Sequence, residues 1–167
     1  MILTIWRHGE AGNAVTDRMR ELTSVGQDDI GFGCHQFHGL CSERQLPHPE
    51  LILFSEWVRT TQTAEIIANA FTDAATGSCR ALIPGSQPRD VDAELDRRMI
   101  AGELPEHLLL VSHQPLVSAL VNYYLGTVGL VAPLVPGGLA VLEMNVVAQG
   151  CASLLFSTQP PQFELCQ

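Results

Sequence analysis

The sequence contains no lysine, and all nine of its basic residues are arginines. This absence excludes chemistry that needs a lysine amine, such as Schiff-base formation, and it excludes a phosphate-binding loop of the Gly-Lys-Ser type. With 18 acidic residues the formal net charge is −9, which argues against general binding to nucleic acid or to acidic membranes. We therefore expect positive potential only where arginines cluster.

Long apolar segments and paired cysteine spacings are also missing. The longest candidate for a membrane span, residues 128–135, is broken by Pro133, and the first apolar run meets Arg7 too early for a secretory signal. Five cysteines, at 34, 41, 79, 151 and 166, form no disulfide pattern. These features predict a cytoplasmic protein without membrane contact.

A metal site at Cys34 and Cys41, with the histidines at 35 and 38, is the less favoured interpretation. The two cysteines form an apolar helical stripe with Ile30 and Phe37, at i, i+4, i+7 and i+11. Thiols in such a stripe are better explained as core residues. We expect neither a metal nor a cofactor.

The order of apolar runs predicts one α/β domain over residues 1–167, with three layers, a mostly parallel central sheet and an antiparallel hairpin at one edge. Residues 73–106 have no strong period and are predicted as loops with at most one short strand or helix. The predicted strands lie near 2–6, 51–54, 107–112, 139–145 and 152–157, and the predicted helices near 24–40, 57–71 and 115–125.

Two of the predicted strands end in a histidine. The first run is followed by Arg7, His8 and Gly9, and the run 107–112 is followed by His113. Ligands of open α/β sheets bind at the carboxyl ends of strands, and a glycine lets the backbone turn sharply there. Arginine binds phosphate through two parallel donors, and a neutral imidazole can attack phosphorus. Phosphoryl transfer in a shared pocket is the predicted chemistry.

A third strand end adds another anion-binding group. Ser55 follows the run 51–54 and is predicted to cap the next helix, which places Arg59 in or near its first turn. Free N–H groups and the positive end of the helix dipole would act there together with the guanidinium.

Four motifs in this order resemble the histidine phosphatase superfamily, whose fold is phosphoglycerate mutase-like, and within it the short phosphohistidine phosphatases of the SixA type. They are Arg-His-Gly-Glu at 7–10, Arg-Glu-Leu-Thr at 20–23 with Gly26, the segment 55–63, and Val-Ser-His-Gln-Pro-Leu-Val at 111–117. The chain departs from the family pattern at Ala11 and at Glu56, where proline is frequent.

The resemblance implies a role for each matching residue. His8 would be the nucleophile that becomes phosphorylated, and Arg7, Arg59 and His113 would hold the phosphoryl oxygens. Arg20 would be an additional arginine beside the site, although a surface arginine before a helix is an equally good interpretation. Gly9 and Ser55 complete the predicted substrate-binding set.

The general acid has no clear sequence signal. Many members of the superfamily carry a carboxylic acid between the second arginine and the second histidine, and Glu94 is the candidate in this chain. Asp92 is the alternative, and both could be solvated acids. A phosphohistidine phosphatase needs little acid assistance, because the conjugate acid of imidazole has a pKa of roughly 6.5.

These observations leave several functions open. The favoured one is hydrolysis of phosphohistidine on a signalling protein, such as a histidine phosphotransfer domain. A phosphatase of small phosphate monoesters is the alternative among enzymes, because the chain is short for a mutase. A third possibility is that the protein is not an enzyme but a binding module that holds a phosphoryl group without turnover.

Overall fold

Seven strands form one mixed sheet in a computed structural model that describes residues 1–166 of the chain. The strands are β1 (Ile2–Arg7), β2 (Leu51–Phe54), β3 (Ala75–Ser78), β4 (His107–Ser112), β5 (Leu139–Met144), β6 (Ala152–Thr158) and β7 (Leu165–Cys166). The helices are α1 (Ser24–Glu43), α2 (Val58–Ala70), α3 (Pro88–Ala101) and α4 (Leu116–Leu125). The strand order is β3-β2-β4-β1-β5-β6-β7. The pairs β3-β2, β2-β4 and β4-β1 are parallel, and the remaining pairs are antiparallel.

The central strands β1 and β4 are buried along almost their whole length because helices cover both faces of the sheet. In β1, Ile2 and Trp6 pack with α1 and α2, while Leu3 and Ile5 pack with α3 and α4. This alternation follows from the period of two along a strand. No helix in the part of the chain that the structure describes is long and apolar enough to cross a membrane.

The structure confirms the predicted α/β layers and the hairpin formed by β5 and β6. The prediction for residues 73–106 underestimated their order, since they contain β3 and the 14-residue helix α3. Only Val91 and Leu95 of α3 are buried, so its apolar period is weak. The available signals were at its ends: Pro88 opens the helix, and Gln87 and Asp90 form a capping box.

The strand register brings the predicted site together. Arg7 is the Cα partner of Ser112 in the parallel pair of β1 and β4, so His8 and His113 leave neighbouring strands at the same edge. Phe54 pairs with Val111, which brings Ser55 to that edge as well. The carboxyl ends of three adjacent parallel strands therefore meet at one place.

Candidate active site

A cavity of about 350 Å³ lies at this edge of the sheet. The structure brings together in its wall five of the residues that the sequence nominated, namely Arg7, His8, Arg20, Arg59 and His113. The other lining residues are Glu10, Ala11, Asp17, Gln114 and Pro136.

His8 is held in one orientation and one tautomer. Its side chain is buried, and Nδ1 lies 2.7 Å from the carbonyl oxygen of Gly9, to which it donates. The other ring nitrogen, Nε2, accepts from Nε of Arg59 at 3.1 Å. Nε2 therefore carries the lone pair of the ring, which faces the cavity's arginine and is the atom that a nucleophilic imidazole uses.

The electrostatic environment keeps His8 uncharged. The pKa of His8 is lowered to about 4, chiefly by burial and in addition by the positive charges of Arg59, Arg7 and Arg20, while the hydrogen bond to Gly9 acts in the opposite direction. Desolvation disfavours the charged form of an imidazole, and neighbouring cations add to this effect. At neutral pH the lone pair of Nε2 is consequently available.

His113 faces His8 at 5.2 Å between ring centroids. Its Nε2 lies 2.9 Å from Oγ of Ser55, which itself accepts from the backbone N–H of Trp57 at 3.5 Å. Burial lowers the pKa of His113 to about 3. If the Ser55 hydroxyl donates to Nε2, the proton of the neutral ring is on Nδ1, a buried nitrogen without a hydrogen-bond partner in the described structure. Such a nitrogen can donate to a bound anion.

Ser55 lies neither in the cavity wall nor at the helix cap, where it was predicted. It is fully buried, does not line the cavity, and does not cap α2, whose N-cap is Trp57. The prediction of a capping serine was wrong because the hydroxyl is engaged by His113 and the helix begins three residues later, at Val58. Ser55 acts on the site by orienting His113.

Arg7 is tied to the loop between α4 and β5. Its Nη1 donates to the carbonyl oxygen of Leu134 at 2.9 Å, and Gln114 donates to the same oxygen at 2.9 Å. Nε of Arg7 is buried and has no partner in the described structure. Because Pro136 of the same loop lines the cavity, this loop forms one wall of the site.

Asp17 is the site residue that sequence reasoning missed. Its carboxylate accepts from Nη2 of Arg59 at 3.3 Å and from Nη1 of Arg20 at 3.1 Å, and its backbone oxygen accepts from Nη1 of Arg59 at 2.6 Å. The hydrogen bond from Arg20 lowers the pKa of Asp17 most, so the carboxylate is ionised at neutral pH. The spacing of Asp17 and Arg20, three residues apart, was the only sequence signal.

Gly9 is required for close packing rather than for contact with a ligand. A Cβ atom at this position would lie 2.8 Å from the carbonyl oxygen of Gly26 in α1. At Gly26 a Cβ atom would lie 2.2 Å from the carbonyl oxygen of Glu10. The two glycines let α1 approach the backbone that carries His8, and Gly9 does not line the cavity.

The structure places Glu94 and Asp92 outside the cavity, which argues against the predicted general acid. Both residues lie on α3, and neither lines the site. Both oxygens of Glu94 accept hydrogen bonds from arginines of the same helix, Arg97 and Arg98, and the bond from Arg97 contributes most to lowering the pKa of Glu94 to about 2. Asp92 accepts from the hydroxyl of Tyr123. Because of its low pKa, Glu94 holds no proton to give at neutral pH.

The cavity that contains His8 differs in its lining from the other cavities described. Residues 1–166 contain no cluster of three or more histidine, cysteine or carboxylate side chains that could hold a metal ion. A second cavity, of about 420 Å³, lies against α2 and β3, and Glu65 is its only charged lining residue. Of these two cavities, only the one that contains His8 is lined by arginines.

Several solved structures are similar in fold to this chain, as the sequence motifs predicted. The chain is similar to the protein histidine phosphatase SixA complexed with tungstate, at 23% identity and a TM-score of 0.76, over 96% of this chain and 97% of that one. It is also similar to a mycobacterial glucosyl-3-phosphoglycerate phosphatase, at 18% identity and a TM-score of 0.66, over 92% and 97% of the two chains. A phosphoserine phosphatase variant from Entamoeba histolytica, solved with phosphoserine, gives 15% identity and a TM-score of 0.66, over 93% and 95%.

These likenesses confirm the phosphoglycerate mutase-like fold predicted from the motifs. No protein-family model matches the chain, and no curated protein matches its sequence. The chemistry of the cavity must therefore be argued from its own residues.

Proposed function

We propose that the protein is a metal-independent phosphatase in which His8 accepts the phosphoryl group. One observation carries this proposal: a buried imidazole with a low pKa donates through Nδ1 to Gly9 and directs its Nε2 lone pair toward arginines in a cavity. A neutral imidazole in this setting is an activated nucleophile, and the arginines match the charge of a phosphoryl group.

The reaction proceeds in two displacements. Nε2 of His8 attacks phosphorus in line, an N–P bond forms, and the bond from phosphorus to the substrate breaks with its electron pair leaving on the substrate atom. Water then attacks phosphorus, and the N–P bond breaks with its electron pair returning to Nε2. Orthophosphate leaves, and its protons, which come from the water, equilibrate with solvent. Arg7, Arg59 and Nδ1–H of His113 hold the phosphoryl oxygens throughout, and Arg20 adds positive potential at the rim.

Phosphohistidine on a signalling protein, such as a histidine phosphotransfer domain, is the favoured substrate. The acids of α3 lie outside the cavity, and Asp17 is held as a carboxylate. The other acid in the cavity wall, Glu10, accepts from the hydroxyl of Thr23 at 2.8 Å. None of these contacts marks a proton donor for a poor leaving group. Imidazole needs little acid assistance, whereas an alkoxide needs much. The likeness in fold to SixA supports the same substrate class. We place this reaction in the cytoplasm, because the buried cysteines 34, 41 and 79 are unpaired.

Hydrolysis of small phosphate monoesters is the second candidate. Two structures with this fold come from phosphatases of small molecules, one for glucosyl-3-phosphoglycerate and one for phosphoserine. A cavity of about 350 Å³ is in the range that accommodates a small ligand.

Comparison of kcat/KM between a phosphorylated histidine phosphotransfer domain and a panel of small phosphomonoesters tests the substrate class. We expect the protein substrate to react faster by orders of magnitude, and His8→Asn, which keeps a similar volume, to be inactive on both. Faster turnover of a monoester would make hydrolysis of small phosphate monoesters the favoured function. Binding of the phosphorylated domain without release of orthophosphate would instead identify a binding module.

A further inference from the structure

Asp17 pairs with two of the positive groups that line the cavity. One carboxylate oxygen of Asp17 accepts from Arg59 and the other accepts from Arg20. Arg59 also donates to Nε2 of His8. Two guanidinium groups and the proposed nucleophile are therefore paired with groups of the chain itself.

The carboxylate of Asp17 resembles a phosphoryl group in what it offers the arginines. Each presents anionic oxygens to the N–H groups of a guanidinium, and arginine binds both kinds of anion through the same donors. An N–H group that donates to Asp17 cannot at the same time make a full hydrogen bond to a phosphoryl oxygen. Arg20 also donates to the carbonyl oxygens of Gly12 and Ala11, so few of its N–H groups remain for an anion. For the N–H groups that Asp17 holds, binding of substrate and pairing with Asp17 are in competition.

We propose that Asp17 determines which anions the site retains, because its carboxylate must be displaced from Arg59 and Arg20 before a phosphoryl group can bind. The proposal rests on the function proposed above and assigns to that site an internal competitor. Asp17 touches the arginines and not the reacting atoms, so it is a specificity-determining residue and not a catalytic one.

The surroundings of Asp17 allow this displacement. Its side chain is 56% exposed and belongs to a short 3-10 turn, Asp17–Met19, that contains no buried residue. The backbone near the turn is anchored elsewhere, by the hydrogen bond between Gly12 and Glu21 and by Gln62, which accepts from the N–H of Leu22. The carboxylate can thus rotate into solvent without unfolding the loop.

The expected consequence is discrimination against free orthophosphate. Every anion that enters the cavity must displace Asp17, but a phosphorylated protein has further contacts outside the cavity that offset this cost. Orthophosphate, the product, makes no contacts outside the cavity. Competition from Asp17 would therefore keep product from accumulating in the site and favour a substrate with a large surface.

Calorimetric titration of orthophosphate and tungstate into the wild type and three variants tests the proposal. Asp17→Asn removes the charge and keeps the shape, and Asp17→Ala removes the group; both leave the backbone oxygen that accepts from Arg59. The matched control is Glu56→Gln, which removes one negative charge from an exposed ion pair with Arg18 on the same turn. We expect both Asp17 variants to bind the anions about three- to tenfold more tightly, and the control to change little.

The direction of the change decides the outcome. Unchanged or weaker anion binding in both Asp17 variants would overturn the proposal, and weaker binding would mean that Asp17 only orients Arg59. An equal gain in Glu56→Gln would also overturn it, since the effect would then be general charge. Titration needs no turnover, so a wild type that binds tungstate but hydrolyses no substrate would contradict the proposed function and leave this test intact.

If the wild type hydrolyses small monoesters, steady-state kinetics provide a second test of the proposal. The Asp17 variants should show a lower KM for small monoesters and stronger inhibition by orthophosphate, with a smaller change in kcat. A fall in kcat with unchanged KM and unchanged inhibition by orthophosphate would contradict competition.

Discussion

Nε of Arg59 donates to Nε2 of His8 at 3.1 Å, so the cation that would stabilise the transferring group first holds the nucleophile's lone pair. This contact fixes the His8 ring together with the hydrogen bond from Nδ1 to Gly9. Attack on phosphorus requires the same lone pair. Arg59 must therefore move its N–H from His8 to a phosphoryl oxygen when substrate binds.

His8 should remain neutral far below the pH at which an exposed histidine takes up a proton. Burial and the nearby arginines lower its pKa to about 4. As the pH falls through this value the ring gains a proton on Nε2, loses its lone pair, and ceases to be a nucleophile. Side-chain nitrogen NMR of histidine-labelled protein, with His8→Asn to assign the signal, should give a midpoint near 4. A midpoint near 6.5 would mean that the site does not protect the neutral form.

Ser55→Ala should lower activity through His113. The change leaves Nε2 of a buried imidazole without its 2.9 Å partner, which costs about 1–3 kcal/mol when the group cannot reach water. We expect kcat to fall by about tenfold as the ring loses its orientation. Ser112→Ala is the control, because this buried hydroxyl donates to Leu82 and not to His113. Equal kinetic losses in the two variants would show that Ser55 has no specific role.

Glu94→Gln should leave turnover unchanged on both substrate classes. Glu94 pairs with Arg97 and Arg98 within α3, where its side chain is 23% exposed, and it does not line the cavity. Loss of these helical ion pairs should cost roughly 1 kcal/mol in the free energy of unfolding. A selective loss of activity on alkyl monoesters, measured beside the activity on phosphohistidine, would restore Glu94 as a general acid.

Gly26→Ala should destabilise the protein and disturb the backbone next to His8. The new Cβ atom would lie 2.2 Å from the carbonyl oxygen of Glu10, so the chain must shift, at a cost of about 1–3 kcal/mol or more. Gly31→Ala in the same helix meets no atom within 4 Å and should stabilise the helix by roughly 0.5–1 kcal/mol. Urea unfolding measures both. Equal stability of the two variants would contradict the close contact between α1 and the backbone at Glu10.

The sequence predicted those parts of the site that follow directly from buried strands. Strands covered on both faces are continuous apolar runs, so the residues after them, such as His8 and His113, can be assigned to one edge of a sheet. Asp17 could not be found in this way. It belongs to a polar turn whose partner, Arg59, lies 42 residues away, and no local pattern encodes that pairing.

Helix α3 and Glu94 illustrate a second limit. A helix with only two buried residues has almost no apolar period, so its existence was missed. Position along the chain then suggested an acid between Arg59 and His113, but the rotation of α3 determines where Glu94 points. That rotation depends on packing of Val91 and Leu95 in the core, which requires the tertiary structure.

Identification of the phosphorylated atom tests the central claim most directly. The protein would be mixed with a phosphorylated histidine phosphotransfer domain, quenched rapidly in alkali, in which phosphohistidine survives, and analysed by peptide mass spectrometry and phosphorus NMR. The geometry predicts one phosphoryl group on Nε2 of His8, formed and lost within a turnover and absent from the inactive His8→Asn variant. A phosphoryl group on Nδ1 or on another residue, or turnover by His8→Asn at more than a few per cent of the wild-type rate, would contradict it.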